Sequence, residues 1–159
     1  MKILGIDPGF ERLGIAILEK DKSTKKETVV FSVCFKTSPK LSFSERLKLI
    51  GETVNKIIKE YKPDTLAIET LFLTTNQKTV MRVAEARGVV MYEASKAGLE
   101  VFEVSPPQIK LATTGYGKAT KDQVMKMVKM LVTVDKNKKS DDELDAIAIA
   151  LTAFAYLKR

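Results

Sequence analysis

The chain has no histidine and one cysteine. Without histidine it lacks the usual general base near neutral pH and the commonest transition-metal ligand. With Cys34 alone it can form neither an intrachain disulfide nor a cysteine-based zinc site. No apolar run is long enough to span a bilayer, and the N-terminus lacks the apolar region of a signal peptide, so the expected compartment is the cytoplasm. Any acid–base or metal chemistry must then fall to carboxylates, lysines, hydroxyls or water. What is present fits a soluble globular protein: 159 residues, 45% hydrophobic and 30% charged, read as a single domain over residues 1–159.

The charge is one-sided. The formal net charge is +7 and the isoelectric point is near 9.4. A basic surface favours polyanions, nucleic acid first among them. A lysine-rich surface selected for solubility or heat tolerance would give the same balance.

Ile3-Leu4-Gly5-Ile6-Asp7-Pro8-Gly9 reads as a central buried strand ending in a carboxylate. Pro8 stops the ladder and Gly9 permits a tight turn, so Asp7 sits at the lip of a sheet or caps that turn. Two more strands follow, Gly14 to Glu19 and Thr28 to Phe35, in an antiparallel meander. In the third, Val29, Phe31, Val33 and Phe35 alternate and are expected on one face. Ser42 and Glu45 form a capping box, opening a helix with Leu47, Ile50, Val54, Ile57 and Ile58 on its apolar stripe. Pro63 closes that helix. Asp64 to Glu69 then gives a second short strand ending in an acid, parallel to the first because a helix crosses between them.

Phe72 follows Glu69 closely and reads as core, or as a wedge or stacking platform for a base. Thr75 or Asn76 caps a long helix to about Ala97, rich in small residues and suited to central burial or a dimer contact. Its charged exceptions, Arg82 and Arg87, are candidates to meet an acid or a phosphate. Leu99 to Val104 is a fifth strand, and Ser105-Pro106-Pro107-Gln108 opens a short helix carrying Lys110. Thr120 caps the next helix, with Val124, Met127, Val128 and Leu131 expected inside. Lys110, Lys118 and Lys121 flank the glycine-punctuated loop between these helices, as a phosphate cradle or as ordinary solvated lysines.

After a polar link, Ser140 and Glu143 make another capping box on an alanine- and isoleucine-rich helix. Asp141, Asp142 and Glu143 suit the positive end of the helix dipole. Asp145, one turn in and among apolar residues, needs a partner. Asp7, Glu69, Asp142 and Asp145 would together make an anionic pocket in a cationic protein. Such an all-oxygen set suits Mg²⁺ or Mn²⁺, and two such ions support in-line displacement at phosphorus without histidine.

The chain resembles the RuvC family of bacterial Holliday junction resolvases over nearly its full length. The resemblance rests on Gly5-Ile6-Asp7-Pro8-Gly9, Arg46-Leu47-Lys48-Leu49-Ile50, Ala67-Ile68-Glu69, Ala86-Arg87-Gly88-Val89 and Asp142-Glu143-Leu144-Asp145-Ala146-Ile147-Ala148-Ile149-Ala150, in that order and spacing. It implies an α/β, RNase H-like fold: a five-stranded mixed sheet with helices on both faces. It implies a Mg²⁺-dependent endonuclease with two ions per active site, Mn²⁺ substituting. The enzyme would nick two opposed strands of four-way junction DNA in recombination and repair. It implies a homodimer working with RuvA and RuvB. Asp7, Glu69, Asp142 and Asp145 match the family's catalytic, metal-binding acids, Phe72 an aromatic at the junction core, and Lys110 and Lys121 DNA-facing basic residues. Arg82 and Lys118 join the DNA-binding candidates from the residue reading. Asp141 is left as a cap or a neighbour of the ligands. The rivals are an RNase H-like nuclease for another substrate, an actin-like ATPase, for which the chain is too short, and a non-catalytic nucleic-acid binder.

Overall fold

In the computed structural model, residues 1–71, 77–132 and 140–157 are described. Five strands form one sheet: β1 (Lys2–Asp7), β2 (Arg12–Lys20), β3 (Glu27–Lys36), β4 (Thr65–Glu69) and β5 (Glu100–Val104), in the order β3-β2-β1-β4-β5. β1, β2 and β3 pair antiparallel, while β4 lies parallel to β1 and β5 parallel to β4. The helices are α1 (Phe43–Tyr61), α2 (Gln77–Lys96), α3 (Pro106–Thr114), α4 (Lys121–Leu131) and α5 (Asp141–Tyr156).

Strand alternation assigns each residue to a layer. Leu4, Ile6, Leu13, Ile15, Ile17, Leu66 and Ile68 pack with Ile50 and Val54 of α1 and with Ala86 and Val90 of α2. Ile3, Ala16, Leu18 and Ala67 pack on the other face with α5 and with Val124 and Val128 of α4. Residues on the α5 side are small near the carboxyl end of β1, and this brings the helix close. A Cβ built on Gly5 would fall 2.2 Å from the Ala146 carbonyl oxygen, and one on Gly14 2.1 Å from that of Asp142. Only glycine allows backbone contact of this kind. α5 is buried nearly all round through Leu144, Ala146, Ile147, Ala148, Ile149 and Phe154, which makes it a central helix of the domain core.

The starts of α1, α3, α4 and α5 follow the expected caps, while Thr75 and Asn76, expected to cap α2, lie outside the described residues. Ser42, Thr120 and Ser140 each accept from the backbone N–H three residues on, and Glu45, Gln123 and Glu143 accept from the cap N–H in return. Gln108 likewise accepts from the Ser105 N–H. α1 stops at Lys62, which is left-handed at φ 49°, immediately before Pro63.

Two expectations about faces need correction. Ile17 pairs with Phe31 but Leu18 pairs with Val29, so Val30 is an extra residue in β3. The bulge reverses the alternation. Phe31, Val33 and Phe35 pack toward α1, whereas Val29 packs toward α5. In α4, Leu131 is exposed and Val132 takes the buried place just beyond the helix end.

Candidate active site

Asp7 and Glu69 come together because β1 and β4 are parallel neighbours in register. Ile6 is opposite Ile68, and each acid is the next residue along. The same alternation that buries Ile3 beneath α5 points Asp7 to that side, and Ala67 does so for Glu69. α5 supplies the rest. Its first turn rests on Gly14, whose notional Cβ would also stand 3.1 Å from the Asp7 Cβ. Asp142 and Asp145, three apart on one helix, therefore face the ends of both strands.

The electrostatics record this convergence. Burial, then the charges of Asp145, Glu69 and Asp142, push the Asp7 carboxyl up to about 7, with Lys121 pulling the other way. Burial and then Asp145 raise Glu69. Burial raises Asp145 despite Lys121, whose Nζ donates to Asp145 Oδ2 at 2.9 Å. Asp142 goes the other way. Burial opposes its ionisation, but hydrogen bonds from Arg12 and Cys34 outweigh it and hold the carboxyl below its ordinary value. Like charges so close resist ionisation until a cation neutralises them.

The donor set decides which cation fits. All four side chains offer oxygen, and none offers nitrogen or sulfur, which suits a hard divalent ion. Among the described residues, no three such side chains stand close enough to hold an ion as placed. Asp145 is instead ion-paired with Lys121, and Asp142 with Arg12. The four residues fit the group in chemistry and place, and the side chains of the two helical acids would have to turn.

Lys121 flanks the glycine-punctuated loop as expected, at the start of α4, and its ammonium reaches the edge of the carboxylate cluster. It and Lys110 line a cleft of about 280 Å³ that also contains Glu69 and Asp145. Lys118 is exposed on the neighbouring loop. Arg82 lies elsewhere, its guanidinium 5.7 Å from the Phe10 ring and 5.1 Å from that of Phe43. Phe72 lies outside the described residues.

Three neighbours of the cluster were not singled out from the sequence. Arg12 donates to Asp142 through Nε at 2.9 Å and Nη2 at 2.5 Å. Ser32 donates to Glu143 at 2.9 Å and Cys34 to Asp142 at 3.5 Å. All three sit on the α5 side of β2 and β3: Arg12 two residues before Gly14, Cys34 paired with Gly14, and Ser32 paired with Ala16. That parity was the available signal. Arg87, considered for an acid or phosphate, donates from Nε to the Glu69 carbonyl at 3.0 Å and pairs with Glu103, bracing the end of β4.

The family model for crossover junction endodeoxyribonuclease RuvC matches residues 3–153. The chain belongs to the RuvC family. A RuvC from Thermosipho melanesiensis is 46% identical over 150 residues, covering 94% of each chain. That of Natranaerobius thermophilus is 42% identical over 151 residues, 95% of this chain and 92% of the relative. The solved structure of Thermus thermophilus RuvC in complex with Holliday junction substrate superposes with a TM-score of 0.91 at 31% identity, over 98% of this chain and 94% of that one. The fold is accordingly the RNase H-like one of RuvC, with its five-stranded mixed sheet between helical layers.

Proposed function

We propose that the chain is a structure-specific endonuclease that resolves four-way DNA junctions by metal-dependent nicking of two opposed strands. The observation that carries this reading is the convergence of Asp7, Glu69, Asp142 and Asp145 from β1, β4 and α5 in a protein of net charge +7. Membership of the RuvC family supports it.

In this reading the four carboxylates hold Mg²⁺, two ions per site, with Mn²⁺ as a substitute. The bound ions supply an activated water and stabilise the leaving oxygen at phosphorus. The chain's own residues do the remainder. Asp7 and Glu69 are fixed by the sheet, so the phosphodiester is cut at a rigid edge. Lys110 and Lys121 border the cleft and receive the phosphate backbone, with Lys118 beside them. Phe72 meets bases at the junction centre, and Arg82 meets DNA from α2.

Cutting two opposed strands calls for two sites, and a homodimer supplies them. The outer face of α2 suits the contact. Met81, Ala84, Gly88 and Tyr92 recur along it and are exposed, Met81 to 66% and Tyr92 to 62%. RuvA and RuvB are the proposed partners in branch migration, and residues 1–159 act as one nuclease domain in the cytoplasm.

The test is cleavage of a synthetic four-way junction beside a linear duplex of the same sequence, with Mg²⁺ and with EDTA. Paired symmetric nicks on the junction only, lost in EDTA and in Asp7→Asn, are expected. Binding without cleavage in either Mg²⁺ or Mn²⁺ would leave a non-catalytic binder. Cleavage of other structures with the junction ignored would keep the site and discard the substrate.

A further inference from the structure

Arg12 is the first residue of β2, two before Gly14 and on the same face of the sheet. Gly14 fixes the backbone of Asp142, so the Asp142 side chain can turn only about its own bonds. Three donors converge on a single oxygen of it, Oδ2: Arg12 Nε, Arg12 Nη2 and Cys34 Sγ. Both nitrogens of one edge of the guanidinium engage that oxygen, a geometry lysine cannot reproduce. The Arg12 side chain is 50% exposed and that of Asp142 21%, so the pair lies at the mouth of the carboxylate cluster, open to solvent on the arginine side.

We propose that Arg12 is a positioning residue that stands in for the divalent cation at Asp142 and is displaced when the ion arrives. This rests on the metal-dependent reading above. The pair has two consequences. While Arg12 holds Oδ2, Asp142 is withheld from a shared ion, and metal occupancy in the free protein is lowered. Once displaced, the guanidinium is released beside the site with its donors unspent, where a DNA phosphate can take them bidentately. Metal loading and phosphate capture then favour each other, which is a coupling between two ligands through one side chain.

The experiment is a Mn²⁺ titration of the full chain without DNA, read by electron paramagnetic resonance. It compares the wild-type protein, Arg12→Ala, Arg12→Lys, Asp142→Asn and the double variant Arg12→Ala with Asp142→Asn. Arg12→Ala is expected to bind Mn²⁺ about 3–10-fold more tightly, the range for releasing a half-exposed, charge-assisted pair. Arg12→Lys, which keeps the charge but loses the two-nitrogen grip, is expected to fall between. In the Asp142→Asn background the effect of Arg12→Ala should vanish. Persistence there would mean that arginine acts by charge at a distance, and would overturn the proposal. Unchanged Mn²⁺ affinity in Arg12→Ala, with only a lowered melting temperature, would make the pair structural and overturn it too. A wild-type protein that binds no Mn²⁺ would overturn both this and the metal reading, so the two failures are distinguishable. In cleavage assays Arg12→Ala should raise KM for the junction severalfold with a smaller change in kcat.

Discussion

At the scale of single residues, the defining fact is that Asp7 resists ionisation. Its carboxyl is pushed from an ordinary 3.8 to about 7 by burial and by three neighbouring acids. The folded chain therefore binds this proton more tightly than the unfolded chain does. Stability contributed here is complete below about pH 4 and is lost as pH rises toward 7. In EDTA, urea denaturation should show the protein weaker at pH 8 than at pH 5 by roughly 2–3 kcal/mol. Asp7→Asn should flatten that dependence and raise stability at pH 8 while abolishing cleavage and sparing junction binding. A variant that is less stable than wild type in EDTA at pH 8 would contradict the account of the cluster. Mg²⁺ should restore the wild-type stability at high pH, since an ion bound only to the folded state stabilises it.

At the scale of elements, the site is a matter of how closely α5 lies on β1 and β2. Gly5→Ala would place a methyl group against the Ala146 carbonyl and the Ala150 Cβ. The helix would have to lift, at a cost of about 2–3 kcal/mol, and Asp142 and Asp145 would lift with it. Reduced kcat together with a lowered denaturation midpoint is expected. Ser140→Ala tests a milder perturbation of the same helix, the loss of its cap, at about 1 kcal/mol. These elements were largely legible beforehand because their signals are local. The serine and threonine caps, Pro63 and the apolar stripe of α1 each depend on residues within a turn or two. The bulge at Val30 was not legible, because it arises from how β3 pairs with β2 and leaves no mark in its own alternation. Leu131, expected inside, is exposed because the buried stripe of α4 runs through Val124 and Val128 to Val132 just past the helix end. Arg12 and Cys34 were not placed beside the acids for a related reason. They matter only once Gly14 admits the first turn of α5, a contact between residues more than a hundred positions apart.

At the scale of the whole molecule, the proposed function gives two surfaces distinct tasks. The basic surface should make junction binding strongly salt-dependent. Raising salt from about 50 to 200 mM should weaken it by a factor of 10 or more, as expected when several phosphates are neutralised. Lys118→Ala should lower the slope of that dependence by about 1 and affect all junction sequences alike. The outer face of α2 is the opposite case, with Met81 and Tyr92 exposed to solvent. If this face forms the homodimer proposed above, Tyr92→Glu should shift the sedimenting species from dimer to monomer and convert paired nicks to single ones, with the fold intact by circular dichroism. No described helix is long and apolar enough to cross a membrane; α5 is apolar in composition because it is buried in the core.

The placement of α5 also bears on the order in which the chain is made. A ribosome delivers Asp7 first and Glu69 halfway, but Asp142 and Asp145 only with the last helix. Until that helix emerges, the face of the sheet that holds Ile3, Ala16 and Ala67 lacks its main cover and has only the α4 side, through Val124 and Val128, and half of the carboxylate set does not exist. A nascent or truncated chain ending before residue 140 therefore lacks the central helix of one core layer and two of the four clustered acids together. On the function proposed above, a partly built chain should be unable to cut, because one helix supplies both the packing and the second pair of acids.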